Sequence, residues 1–378
     1  MKRRTLALIL MLCFFVAGCG GQENPAPFTT TAASTLSSTT VTTTATTIPT
    51  TVTTVPTTQP EPQIVELTLT FVGDCTLGTN QNHPYKKMFP EYYDKNGPDY
   101  FLDEVRHIFE ADALTVVNLE GSLTNATERV EKLYNHKGLP EYVQILSGSS
   151  VEVATMGNNH RLDYGVEGFL ETVDTLEGAG IDYCYDDVYL IKEVKGVKIG
   201  FVSVNEVYDG TTIEKFLTKG YEYLRQSGCA IVIACVHWGD EKTHVLNDYQ
   251  TDLGHRLIDM GYDLVVGCHP HVLQAIECYQ GRYICYSLGN FCYGGNRNPV
   301  DKDSGIFQQK FTLVDGVLQV NDDVQFIPCS LSGRSDWNDC QPQILTGDEY
   351  TRVLEKMNSF GAQFGFVLDE NGRPLKNA

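Results

Sequence analysis

The chain has 378 residues, of which 42% are apolar, and a formal net charge of −20. An excess of 48 acidic over 28 basic residues argues against nucleic acid as a partner, and it repels a polyanion overall, so any hold on one must be local, through metal ions or a basic patch. Twelve cysteines contain no CxxC pair, which argues against a structural zinc site.

In chain order, Met1-Lys-Arg-Arg precedes the apolar run Leu6 to Val16 and the segment Val16-Ala17-Gly18-Cys19. The run is too short to span a bilayer permanently, and small residues precede Cys19, so an export leader over 1–18 with lipidation of Cys19 is expected. The expected location is the extracytoplasmic face of the membrane, held by a lipid anchor. Residues 19–63 are dominated by Thr with scattered Ser, Val, Ala and Pro. Lacking a periodic apolar face, this stretch is expected to be a disordered linker, whose Thr-rich part from Phe28 to Pro62 could reach up to roughly 100 Å when fully extended.

From Ile64 the pattern becomes globular, and one domain is expected over 64–345. Apolar runs predict strands at Leu67 to Val72, Ala113 to Asn118, Val151 to Met156, Asp187 to Val194, Lys198 to Val204, Ala230 to Val236 and Asp263 to Val266. Helical spacing predicts helices at Asp99 to Glu110, Gly165 to Gly178, Ile213 to Gln226 and Tyr249 to Met260. In the helix from Gly165, the predicted apolar face is Val166, Phe169, Leu170, Val173 and Leu176. A hairpin around Gln280-Gly281 and further strands from Gly305 to Ile327 follow. A helix from Asp348 to Phe360 lies in a C-terminal extension, 346–378, expected to pack on the domain. The alternation predicts an α/β architecture with sheets covered by helices.

The predicted strands end repeatedly in Asp, Glu, Asn or His. Asp74, Glu120, Asn159, His160, His237, His269 and His271 all fall at such ends, where open α/β sheets gather ligand sites. Carboxylates, an amide oxygen and imidazoles suit Mn, Fe or Zn, and one carboxylate can bridge two ions. Cys75 and Cys268 adjoin these positions, but neighbours on a strand point to the opposite face.

Six blocks follow in order: Phe71-Val-Gly-Asp74, Val117-Asn-Leu-Glu120, Gly157-Asn-Asn-His160-Arg-Leu-Asp163-Tyr-Gly165, Val236-His-Trp-Gly239, Gly267-Cys-His-Pro-His271 and Tyr286-Ser-Leu-Gly-Asn-Phe291. Together they resemble the CapA-type poly-γ-glutamate capsule synthesis family, over about Leu67 to Phe326. That family is similar to calcineurin-like metallophosphoesterases. The resemblance implies a metallophosphatase-like layered α/β sandwich and one or two divalent metal ions. It also implies a partner polymer such as poly-γ-glutamate, and membrane-bound capsule synthesis proteins.

Carried over residue by residue, the resemblance puts Asp74 and His271 at a first metal and Glu120 between two metals. Asn159, His237 and His269 fall at the second. His160 becomes general acid or transition-state stabiliser, protonating a leaving group expelled by water that the cations activate. Asp163 is expected to orient His160 or to cap the helix beginning near Gly165. Trp238 is expected to pack beside the site. Ser287 and Asn290 are expected to support turn geometry, and Arg161 and Lys137 to be surface charge. One position departs from the metallophosphoesterase pattern: Thr76 stands where that pattern has a His ligand. The resemblance therefore leaves three functions open. They are a metal-dependent capsule protein, a hydrolase of phosphoesters or envelope amides unrelated to a capsule, and a non-catalytic assembly subunit with a degenerate site.

Overall fold

A computed structural model describes residues 61–319 and 323–375. The expected leader, the lipidated Cys19 and nearly all of the expected linker lie outside the described residues. None of the described helices is long and apolar enough to cross a membrane.

Two large sheets face each other. In the nine-stranded sheet the path runs Gln343–Ile344, Val324–Ser330, Asp303–Val314, Ile64–Thr76, Leu114–Leu119, Val153–Thr155 and Asp182–Cys184. The six-stranded sheet runs Ile276–Tyr279, Arg282–Cys285, Leu264–Cys268, Ile231–His237, Val197–Asn205 and Leu190–Val194. Ile231–His237 shows why the sequence folds this way. Ile231, Ile233 and Cys235 enter the core between the sheets, whereas Val232, Ala234 and Val236 enter the core under the outer helices. A strand flanked by parallel neighbours and buried on both faces must be apolar throughout.

Helices complete the layers. Glu214–Gln226 and Asp248–Met260 cover the six-stranded sheet with Leu217, Leu224, Leu253 and Leu257. Asp103–Phe109 and Gly165–Ala179 cover the other with Val105, Phe109, Phe169 and Leu176. The helix Asp248–Met260 starts in a reciprocal capping box between Asn247 and Gln250 and stops at Gly261, whose φ is 112°. Such a conformation favours glycine. Gly165–Ala179 packs differently from its predicted apolar face, since Val166 and Leu170 are exposed. The cause is Thr172, whose Oγ1 accepts from the Leu123 amide and donates to the Gly168 carbonyl, turning the Gly168–Thr172 side inward.

The helix Gly347–Gly361 sends Val353, Leu354 and Met357 into the core between the sheets. Nine cysteines of the described residues are buried thiols. Three short strands, Thr79–Asn80, Ser122–Leu123 and His136–Gly138, form a third sheet.

Two glycines set up the site by close approach. A Cβ on Gly73 would lie 1.8 Å from the Gly289 carbonyl oxygen, the same oxygen that accepts from the Asp74 amide at 2.9 Å. On Gly157 a Cβ would lie 2.4 Å from the Val204 nitrogen. Only glycine lets these chains meet.

Candidate metal centre

The parallel strands of each sheet place their C-terminal ends together. Asp74 pairs with Asn118, Asn118 with Thr155, and His237 with Asn205 and Cys268, while Asp74 also pairs with Asn290 at the start of the strand Asn290–Tyr293. The seven candidate residues follow from these ends, and one cluster receives all of them.

Glu120 lies at its centre and is wholly buried. Its Oε1 accepts no hydrogen bond and lies 3.5 Å from His237 Nε2 and 4.0 Å from His160 Nε2. Its Oε2 faces the other way, 3.7 Å from His271 Nδ1 and 3.5 Å from Thr76 Oγ1. On the first side, His237 Nε2 is 3.1 Å from Asn159 Oδ1 and 3.1 Å from His269 Nδ1. On the second, His271 Nδ1 is 3.1 Å from Asp74 Oδ2 and 3.0 Å from Asn290 Oδ1. Atoms of Glu120, His269 and His271 able to bind a cation all lie within 4.8 Å of one another.

Around this cluster stand residues that fix it. Asn118 donates to Asp74 Oδ1 at 2.8 Å, and Asn158 donates to Asn118 Oδ1 and to the Leu119 carbonyl. The Asn159-His160 loop is thereby tied to the end of the Leu114–Leu119 strand. His269 and His271 have φ values of 102° and 59°. Backbone strain of this kind costs about 1–3 kcal/mol per residue and persists where surrounding structure imposes it.

His160 donates from Nδ1 to Asp163 Oδ2 at 2.7 Å, which leaves Nε2 directed toward Glu120. Asp163 makes no capping bond to the following helix, so of its two expected roles the geometry shows the orienting one. Its other oxygen meets Lys132 Nζ at 2.5 Å. The His136 amide donates to Asp163 at 2.6 Å, and the His136 ring lies 4.2 Å from that of His160.

Burial governs the protons. It drives His160, His237 and His136 well below the usual imidazole value, with Lys132 adding to the effect at His160, and it takes His269 down to about 4. His271 is the exception: burial opposes its charge, but Glu120 and Asp74 outweigh burial and hold it up at about 10. Burial pushes Glu120 up to about 8, opposed by His271 and reinforced by Asp74. A neutral His160 with a bare Nε2 must take up a proton, against burial and Lys132, before it can donate one.

Other residues singled out in the sequence take supporting places. Trp238 is fully buried and donates to the Tyr286 carbonyl at 2.9 Å. Ser287 supports the turn by donating to the Val272 carbonyl, whereas Asn290 reaches the cluster itself. Arg161 forms a fork to Asp186, and Lys137 donates to the Ala126 carbonyl. Cys75 joins the core on the outer face of its sheet. Above the cluster opens a cavity of about 330 Å³, with His83, His136, His160, His271, Tyr293 and Arg297 among its walls.

The donor set fits divalent cations. Glu120 Oε1 is a buried carboxylate oxygen with no proton to accept, and two imidazole nitrogens converge on an amide oxygen and that carboxylate with too few protons to satisfy them all. Mixed nitrogen and oxygen donors suit Mn, Fe or Zn.

Fold and site together define a mixed α/β protein with a buried histidine and carboxylate centre suited to divalent metal. The chain belongs to the family described as bacterial capsule synthesis protein PGA_cap, whose model matches residues 68–294. It is 29% identical over 248 residues to the PGA biosynthesis protein CapA of Bacillus subtilis, covering 60% of this chain and 63% of that one. To the capsule biosynthesis protein CapA of Bacillus anthracis it is 26% identical over 272 residues, covering 64% of this chain and 63% of that one. The chain thus matches less than two thirds of the length of either relative. Among solved structures, a hypothetical protein from Thermus thermophilus aligns with a TM-score of 0.43 at 13% identity, over 69% of this chain and 98% of that one.

Proposed function

We propose that this protein serves capsule biosynthesis at the outer face of the cell membrane, anchored through lipid on Cys19, and acts on poly-γ-glutamate or a similar anionic polymer through a metal-dependent hydrolytic centre. Family membership supports the capsule role. One observation carries the chemistry: Glu120 turns one oxygen to each of two donor groups.

In this reading Asp74 and His271 would hold one cation and Asn159, His237 and His269 another, with Glu120 able to serve either. Cations held there supply Lewis acidity and lower the pKa of water. His160 accepts a proton at Nε2 and returns it to the leaving group, while Asp163 fixes the ring through Nδ1. Asn118 and Asn158 hold Asp74 and the Asn159 loop at the required spacing. The cavity walls bind the polymer, and membrane-bound capsule synthesis proteins are its partners.

The test uses the full chain in detergent. Metal content is measured first, and hydrolysis of polyglutamate and of model phosphodiesters is then followed with added manganese. Turnover that requires metal and is lost in His160→Ala is expected. Bound metal without turnover of any substrate would instead favour the assembly subunit, the reading that Thr76 supports by offering no imidazole.

A further inference from the structure

Thr76 leaves the Asp74 side of the centre short of a donor, and the structure supplies a different one. We infer that the side-chain oxygen of Asn290 is a ligand of the cation held by Asp74, His271 and Glu120, completing a four-donor set. This rests on the metal-centre reading proposed above and adds a residue to it.

Distances and lone pairs both point to this assignment. Two atoms each about 2.1 Å from one ion, at angles of 90–110°, lie about 3.0–3.4 Å apart. Asn290 Oδ1 and Asp74 Oδ2 lie 3.0 and 3.1 Å from His271 Nδ1. In the other group, Asn159 Oδ1 and His269 Nδ1 lie 3.1 Å from His237 Nε2, so the spacings match. Each group then holds one amide oxygen and a share of Glu120. Asp74 Oδ2 is also reached by the His269 amide at 3.4 Å and Glu120 Oε2 by Thr76 Oγ1 at 3.5 Å, whereas Asn290 Oδ1 meets His271 Nδ1, whose proton it shares with Asp74, so Asn290 Oδ1 is the acceptor that a cation would complete.

Strand geometry makes the placement rigid. Asn290 opens the strand Asn290–Tyr293, which runs parallel to Ile64–Thr76 with Asn290 opposite Asp74, so both side chains stand on one face. Asn290 Nδ2 donates to the His271 carbonyl at 3.1 Å. That bond turns Oδ1, and not the amide nitrogen, into the cluster. The residue is 3% exposed.

A mere clamp on His271 would use the same contacts, and two substitutions separate the roles. Asn290→Ala removes both the oxygen and the donor. Asn290→Asp keeps the oxygen and loses the donor to the His271 carbonyl. Manganese stoichiometry and affinity are measured on the full chain by elemental analysis and calorimetry, with circular dichroism and melting to confirm folding. Wild type is expected to bind two ions. Asn290→Ala should keep one and bind the other at least tenfold more weakly, whereas Asn290→Asp should keep both. Two ions bound by Asn290→Ala with unchanged affinity would overturn the assignment, as would loss of an ion in Asn290→Asp equal to that in Asn290→Ala. Wild type binding no manganese would overturn the centre as a whole, a result distinguishable from either.

Discussion

Lys132 Nζ lies 2.5 Å from Asp163 Oδ1, and the Asp163 side chain is 1% exposed. The pair ties a loop lysine to the carboxylate that orients His160, and Lys132 also donates to the Asn159 carbonyl at 2.9 Å. One cation thereby steadies both the proton carrier and the loop that carries a candidate metal ligand. Burial pushes Asp163 up to about 6 from an ordinary 3.8, with Lys132 opposing the rise.

Lys132→Met should therefore destabilise the protein by about 3 kcal/mol at pH 8, the range for breaking a buried ion pair. The sign with pH follows from the raised carboxyl. Without Lys132 the folded Asp163 binds its proton still more tightly than the unfolded one. Relative to wild type the penalty is then full above that still higher folded value and shrinks as pH falls through it toward the wild-type folded value of about 6. Urea unfolding at pH 8 and pH 5 checks this. Adding Asp163→Asn to Lys132→Met should recover most of the loss at pH 8, and an equal loss at both pH values would refute the account.

Those two residues also show what could be read from sequence. Asp163 stood out because it belongs to the block Gly157-Asn-Asn-His160-Arg-Leu-Asp163-Tyr-Gly165 that follows a strand end. Lys132 did not, since it lies in a loop without periodicity, and nothing local joins it to Asp163. The same contrast holds for the fold. Ile231–His237 was legible because both of its faces are buried and its side chains are β-branched or small. The helix Phe89–Asn96 and the strands Thr79–Asn80, Ser122–Leu123 and His136–Gly138 were not, being too short to show a period.

The expected helix Asp99 to Glu110 is split into a 3₁₀ turn at Pro98–Tyr100 and the α-helix Asp103–Phe109. In the site, residues that end strands could be listed from sequence, whereas Asn290 begins one. It reaches the cluster through cross-strand register, which no sequence period records. His136 reaches the cavity from a three-residue strand, and its only local signal is its residue type.

Glu120→Gln should move stability and metal binding in opposite directions. A buried carboxylate oxygen with no hydrogen bond is costly in the metal-free protein, and a Gln amide in its place buries no charge and can still accept at its oxygen from His237 Nε2, which already donates to Asn159 Oδ1. Removing such a group is expected to raise metal-free stability by about 1–2 kcal/mol at pH 9. The same substitution removes the shared charge, so bound metal should fall below one ion per chain. Unfolding in the presence of chelator and elemental analysis measure the two effects. A destabilised metal-free Glu120→Gln would show that Glu120 is structurally necessary in its own right.

His237→Ala and His269→Ala each take a nitrogen from the group that includes Asn159. Each should lose one ion and leave the second, held by Asp74, His271 and Glu120, weakened by less than tenfold. Both side chains are buried at the ends of strands, so melting temperatures without metal should fall modestly, as for a small cavity of about 1–3 kcal/mol. Metal content of both variants at wild-type level would dissolve the group.

The metal-free and metal-loaded proteins should respond to pH with opposite slopes. In the metal-free state Glu120 is held up at about 8 and His271 at about 10. Both folded values exceed the unfolded ones, so the native state holds extra protons. Metal-free stability is then fullest below the unfolded values and declines as pH rises through about 8 and then 10. Cations compete with those same protons, so metal affinity should rise with pH and binding should release protons to the buffer. Calorimetry in two buffers of different ionisation enthalpy at pH 7 and pH 9 counts the protons released. More protons should be released at pH 7 than at pH 9, because Glu120 has lost most of its proton by the higher value. Manganese should raise the melting temperature more at pH 9 than at pH 7. Affinity independent of pH across this range would mean that the cation and the protons held between Glu120 and His271 occupy different places.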